Sequence, residues 1–80
     1  MQVGVYTIKD TLFKGEATKV IAKTTTGEIT ILPDHLPVVS TLTHDVLRIY
    51  DKAGEEQSIE IKSGVLEIRP ESHIVILASA

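Results

Sequence analysis

Val46-Leu47-Arg48-Ile49-Tyr50 and Gln57-Ser58-Ile59-Glu60-Ile61-Lys62, joined across Asp51 to Glu55, decide the fold. Apolar and polar residues alternate in both runs. Leu47 and Ile49 stand opposite Arg48 and Tyr50, and Ile59 and Ile61 stand opposite Ser58, Glu60 and Lys62. A period of two sends successive side chains to opposite faces of an extended chain, so each run reads as a strand with one face on a core. Gly54 marks the connection as a hairpin turn.

The same period continues outward. Gln2 to Ile8 is a β-branched run closed by Lys9-Asp10. Leu12-Phe13 leads to Lys14-Gly15, read as a turn, and Ala17 to Lys23 holds the next apolar stretch. Thr24 to Gly27 turns into Glu28 to Leu32, with Ile29 and Ile31 on one face, and Val38 to Leu42 is short and extended. Ser63-Gly64 turns or bulges into Val65 to Arg69, where Leu66 and Ile68 share a face. Pro70-Glu71-Ser72 turns into His73 to Ala78. No stretch holds a helical period. The spacing predicts one all-β domain over residues 1–80, an antiparallel sandwich or small barrel of eight to ten short strands.

Composition bounds the function. Eighty residues make a small domain, which buries only roughly 60% of its unfolded surface. Apolar residues are 42% of the chain, enough for a core of Val, Ile and Leu. The absence of cysteine removes disulfides and thiolate metal sites and fits a reducing compartment. Eight basic against eleven acidic residues, net −3, disfavour a binder of the phosphate backbone. No apolar run approaches the ~20 residues of a membrane helix, and no signal pattern is read at the N-terminus, so a soluble intracellular chain without membrane insertion is expected.

The catalytic inventory is thin. The chain has no Gly-rich phosphate loop, no Gly-x-Ser-x-Gly elbow and no His-Glu-x-x-His. His35, His44 and His73 lack metal-site spacing, so no metal or cofactor is expected. Asp34, His35 and Ser40 as a triad would be sequence neighbours without an oxyanion hole. Glu55-Glu56 beside Gly54 reads as a solvated turn. The expectation is a chain that is not an enzyme by itself.

Gly27-Glu28-Ile29-Thr30-Ile31-Leu32-Pro33-Asp34-His35-Leu36-Pro37-Val38 is different. A strand runs into two prolines that enclose Asp34, His35 and Leu36. Proline fixes its own φ and biases its predecessor toward extended geometry, so this is a stiffened loop leaving a sheet. Leu36, Val38 and Val39 put bulky apolar groups where a solvent loop carries Ser, Asn or Gly. Such a loop suits gripping another protein. Each candidate also has a plainer reading: Glu28 as a solvated strand end, His35 as a polar loop tip, and Leu36, Val38, Val39 and Leu42 as core. Tyr6, Phe13 and Tyr50 read as core or sheet-surface residues, and Arg48 and Arg69 as solvated.

The ordered motifs resemble the epsilon subunit family of F-type ATP synthases, over essentially all 80 residues. Leu12-Phe13-Lys14-Gly15-Glu16 with Lys19-Val20 is similar to its Phe-x-Gly-Glu segment and Lys-Val strand. Gly27-Glu28, Ile31-Leu32-Pro33, His35 and Pro37 fall on Gly-Glu-x-Gly-Ile-Leu-Pro-Gly-His-x-Pro. Leu47-Arg48-Ile49 resembles the next strand. Ser63-Gly64, Leu66-Glu67-Ile68 and Pro70 are similar to Gly-Gly-x-Leu-Glu-Val-x-Pro. Val75 to Ala80 resembles the strand closing the family's N-terminal domain. Thr30 and Asp34 replace usual glycines, and Thr43-His44-Asp45 replaces a Lys-Pro-Gly turn. Asp visits the left-handed backbone more readily than most residues, so Asp34 can serve where glycine is usual.

The resemblance implies a two-sheet antiparallel β-sandwich of about ten strands. It implies a central-stalk rotor subunit of a bacterial ATP synthase, binding the gamma subunit and the membrane c-ring so that proton-driven rotation is coupled to ATP synthesis. It implies c-ring contacts at Glu28 and His35 and stalk contacts to gamma at Leu36, Pro37 and Val38. It implies a peripheral position on the cytoplasmic face of the inner membrane. Family members normally continue into a helical hairpin that binds ATP or inhibits rotation. Ala80 falls where that hairpin would begin, so no ATP binding is expected of these residues, and both an excised domain and a natural short form stay open. The rival readings are a free-standing β-sandwich adaptor for another protein and an oligonucleotide-binding barrel. The latter would need a basic groove and stacking aromatics.

Overall fold

The computed structural model describes residues 1–79 and contains nine strands. They are β1 (Gln2–Tyr6), β2 (Thr11–Glu16), β3 (Lys19–Thr24), β4 (Gly27–Ile31), β5 (Val38–Leu42), β6 (Asp45–Tyr50), β7 (Glu56–Ile61), β8 (Ser63–Arg69) and β9 (His73–Ser79). All-β architecture follows from the period of two, and nine strands fall within the eight to ten that the spacing predicts. The expected closing strand, Val75 to Ala80, is the body of β9, and Ala80 lies outside the described residues.

One layer carries β2-β1-β9-β8-β5 and the other carries β4-β3-β6-β7. The layers are not separate sheets. Thr24 of β3 pairs with Leu42 of β5, which makes the ladder continuous and bends it into a nearly closed barrel. Its end strands β2 and β7 face each other across a cleft of about 120 Å³ lined by Phe13, Ile49 and Gln57 among others. Pairing is antiparallel with one exception: β1 runs parallel to β9, with Gln2 opposite His73 and Tyr6 opposite Leu77.

Alternation holds at the core. Val3, Val5, Leu42, Leu66, Ile68, Ile74 and Ile76 face inward from one layer, and Val20, Ala22, Ile31, Leu47, Ile49 and Ile61 from the other; all are buried. Three turns differ from the sequence reading, one of them at Ser63-Gly64, which lies within β8 and pairs with Ser79 and Ala78. Lys14-Gly15 lies within β2, with Gly15 opposite Val3, and the chain reverses instead at Ala17-Thr18. Gly15 sits beside the Phe13 ring, 3.8 Å from where a Cβ would stand, an ordinary contact distance, so neither a turn nor a close approach explains a glycine here. β1 ends at Tyr6, where the register slips against β2, leaving Thr7 to Asp10 as the turn.

Candidate functional site

The Pro33–Pro37 loop crosses from β4 in one layer to β5 in the other. His35 N–H donates to Leu32 O at 3.3 Å, and Asp34 between them has φ of 66°. Proline second and a left-handed residue third is the type II turn pattern, which normally takes Gly or Asn at the third place. His35 is half-buried, and its Nδ1 lies 2.8 Å from Leu36 O. A carbonyl only accepts, so Nδ1 carries a proton, which in the neutral imidazole leaves Nε2 as an acceptor. Asp34 N–H donates to Ser72 Oγ at 3.1 Å, which fastens this loop to the β8–β9 turn.

The plainer core reading holds for Leu42 alone in this group. Leu36 is 79% exposed, Val39 67%, and Val38 is also open. Glu28 is exposed on the outer face of β4, across from Lys23 on β3. It stands four residues before Leu32, about 13 Å down the strand at ~3.3 Å per residue. Glu28 and His35 therefore do not converge on one tip. They lie along the same flank, the edge strand β4 and the crossover that follows it.

The two outer faces differ in chemistry. The β4-β3-β6-β7 face carries Lys19, Lys23, Glu28, Arg48, Glu56 and Glu60. Lys19 Nζ sits 4.4 Å from the centre of the Tyr50 ring, and the Tyr50 hydroxyl donates to Glu56 Oε1 at 2.7 Å. Ser58 Oγ donates to the other carboxylate oxygen, also at 2.7 Å. The bond from Tyr50, then that from Ser58, holds the Glu56 carboxyl below its ordinary value. The same bond to Glu56 raises the Tyr50 phenol.

The opposite face is more apolar, with one ion pair, Arg69 Nε donating to Glu67 Oε1 at 2.9 Å, set among its apolar side chains. In register across four strands run Thr41, Val65, Leu77 and Tyr6, and beside them Val39, Glu67, Val75 and Gly4. Leu77 is 59% exposed, Val65 is open as well, and Ile8 at the adjoining turn is fully exposed. The Tyr6 ring lies over Gly4, and a side chain at position 4 would displace it from there. An uncovered apolar face of this kind marks a binding surface.

Ile8, Val65, Val75 and Leu77 were not among the residues singled out from sequence, and Tyr6 was read only as a core or sheet-surface residue. The available signal was Ile74-Val75-Ile76-Leu77, apolar on both faces of one strand, the mark of a strand covered on both sides.

Residues 1–80, the whole chain, match the family described as ATP synthase, Delta/Epsilon chain, beta-sandwich domain. The chain belongs to this family. The ATP synthase epsilon chain of an Exiguobacterium species is 38% identical over 80 residues, covering all of this chain and 59% of that one. Those of Psychrobacter arcticus and Acinetobacter baumannii are 35% identical over 80 residues and 39% over 75, covering 58% and 52% of those proteins and 100% and 94% of this chain. The chain thus spans just over half the length of these epsilon-chain relatives. The fold matches chains in the mitochondrial ATP synthase structures of Euglena gracilis (OSCP/F1/c-ring; TM-score 0.91, 18% identity, 98% of this chain and 49% of that one) and Tetrahymena thermophila (central stalk/c-ring; 0.83, 13%, 99% and 63%). At these identities the likeness concerns the fold.

Proposed function

We propose that this member of the Delta/Epsilon family is a non-catalytic, central-stalk component of a bacterial F-type ATP synthase. It docks on the gamma subunit and rests on the c-ring at the cytoplasmic face of the inner membrane, coupling proton-driven rotation to ATP synthesis. The observation that carries this reading is the set of exposed apolar side chains Val39, Val65 and Leu77 on the outer face of β5, β8 and β9, with Leu36 exposed on the adjoining Pro33–Pro37 loop, in a chain that matches the family from end to end. Apolar area excludes water and supplies affinity, while charged neighbours set register.

In this reading Leu36, Pro37 and Val38 begin the gamma-binding surface, and Tyr6, Val39, Val65 and Leu77 extend it. Glu28 and His35, on the β4 flank, meet the ring loops. Glu28 offers a carboxylate to basic groups, and His35 offers an Nε2 acceptor. The direct test is recovery of gamma and c-ring with the tagged chain, alongside proton-driven ATP synthesis in membranes. Glu28→Ala with His35→Ala should leave gamma recovery and folding intact and lower ATP synthesis several-fold. Failure to recover gamma at all would overturn the reading in favour of a free-standing adaptor.

A further inference from the structure

The two turns at the loop end of the barrel share an unusual demand. Asp34 has φ of 66°, and across from it Glu71 and Ser72 have φ of 66° and 56°. None is glycine, and non-glycine residues hold left-handed backbone only when their surroundings determine it. The two turns, 38 residues apart in sequence, are joined by one hydroxyl. Ser72 Oγ accepts the Asp34 N–H at 3.1 Å and donates to Asp34 Oδ1 at 3.5 Å. Ser72 is itself fixed to the barrel, since its carbonyl accepts the Gln2 N–H of β1 at 3.0 Å. The clasp therefore connects the centre of one layer to the one residue of the Pro33–Pro37 loop whose backbone is disfavoured.

We propose that Ser72 is a positioning residue, holding Asp34 left-handed and so setting the pose of His35. Without the hydroxyl, only the His35 N–H bond to Leu32 O remains to keep Asp34 out of the right-handed region. Reversal of its φ would break the His35 N–H bond to Leu32 O and swing the imidazole off its place between the prolines. The role depends on Asp34. A glycine there adopts the left-handed backbone unaided and makes the clasp dispensable. That His35 contacts a c-ring rests on the function proposed above; the clasp does not.

A four-protein cycle tests this: the chain as it stands, Ser72→Gly, Asp34→Gly and the double variant. Ser72→Gly suits the test because glycine favours the left-handed hairpin backbone while removing the hydroxyl, so misfolding of the β8–β9 turn is avoided. Amide exchange at His35 reads the loop, and binding to a detergent-solubilised c-ring from the same organism reads its consequence. Ser72→Gly should speed His35 exchange and weaken ring binding, each about tenfold, the loss of roughly one hydrogen bond. In the Asp34→Gly background the same change should move neither by more than twofold. Equal effects in both backgrounds, or none in either, would overturn the clasp. Exchange that follows the cycle while ring binding ignores it would leave the clasp standing and remove His35 from the ring contact.

Discussion

Leu66 and Leu77 lie on adjacent paired strands, β8 and β9, facing opposite ways, and truncating each should separate folding from docking. Leu66 has no exposed surface, whereas Leu77 is 59% exposed. Leu66→Ala removes buried methyl groups and leaves a cavity, a loss of about 3 kcal/mol. An unfolding entropy of ~2.1 cal/mol/K per residue gives an 80-residue chain about 0.17 kcal/mol/K, so Tm should fall by roughly 18 °C. Leu77→Ala loses only its covered part, about 1 kcal/mol and roughly 6 °C. Binding reverses the order. Covering the open 59% of a leucine worth ~2.5 kcal/mol when fully buried gives about 1.5 kcal/mol, roughly tenfold in Kd for gamma. Circular dichroism melts and calorimetric titration with gamma measure the two quantities. Leu77→Ala that melts as early as Leu66→Ala, or that binds gamma undiminished, would refute the assignment of this face.

Two further outcomes follow from the geometry. Gly64→Ala should cost about 2 kcal/mol, seen as a Tm lower by ~12 °C, because its Cβ would stand 2.8 Å from the Leu77 carbonyl oxygen, a backbone atom that cannot step aside. Glu56→Gln should flatten the acid side of the stability profile. The folded-state value of Glu56 is lowered, so its contribution is complete above the ordinary carboxylate value of 4.5 and is lost as pH falls through the folded value. Urea midpoints between pH 3 and 7 should therefore converge for the two proteins at the acid end and separate toward neutrality.

Sequence carried the fold far because alternation and burial coincide at most strands. Leu47, Ile49, Ile61, Leu66 and Ile68 point inward as their spacing requires. Gly15 misled because glycine signals a turn locally, whereas here it pairs with Val3 inside a strand. The parallel β1–β9 pair was hidden for a similar reason. Period two fixes which face a residue takes but not the direction of the neighbouring strand, here set by a partner some seventy residues away in sequence. The stiff loop was legible from its prolines, and Asp34 in the left-handed region followed from its place in a glycine pattern. The apolar outer face was not read, since inward and outward apolar residues look alike in one dimension.

The topology also explains how a load on the loop could reach the apolar face. Pro37 leads directly into Val38, the first residue of β5, which pairs with Ile68. Five registered pairs then join β5 to β8, seven join β8 to β9, and five parallel pairs join β9 to β1. The bonds lie across the strands, so a sideways push on the loop is shared along each ladder and does not fall on one flexible connection. Val39, Val65, Leu77 and Tyr6 ride on the outer side of these same four strands. A partner held on that face and another held at the β4 flank would thus be connected through hydrogen-bonded sheet, with the Ser72 clasp bracing the loop against the hairpin that begins β9. The charged face of β4-β3-β6-β7 stands outside that path. A partner that covered the more apolar face would leave most of the charged side chains of the other in water.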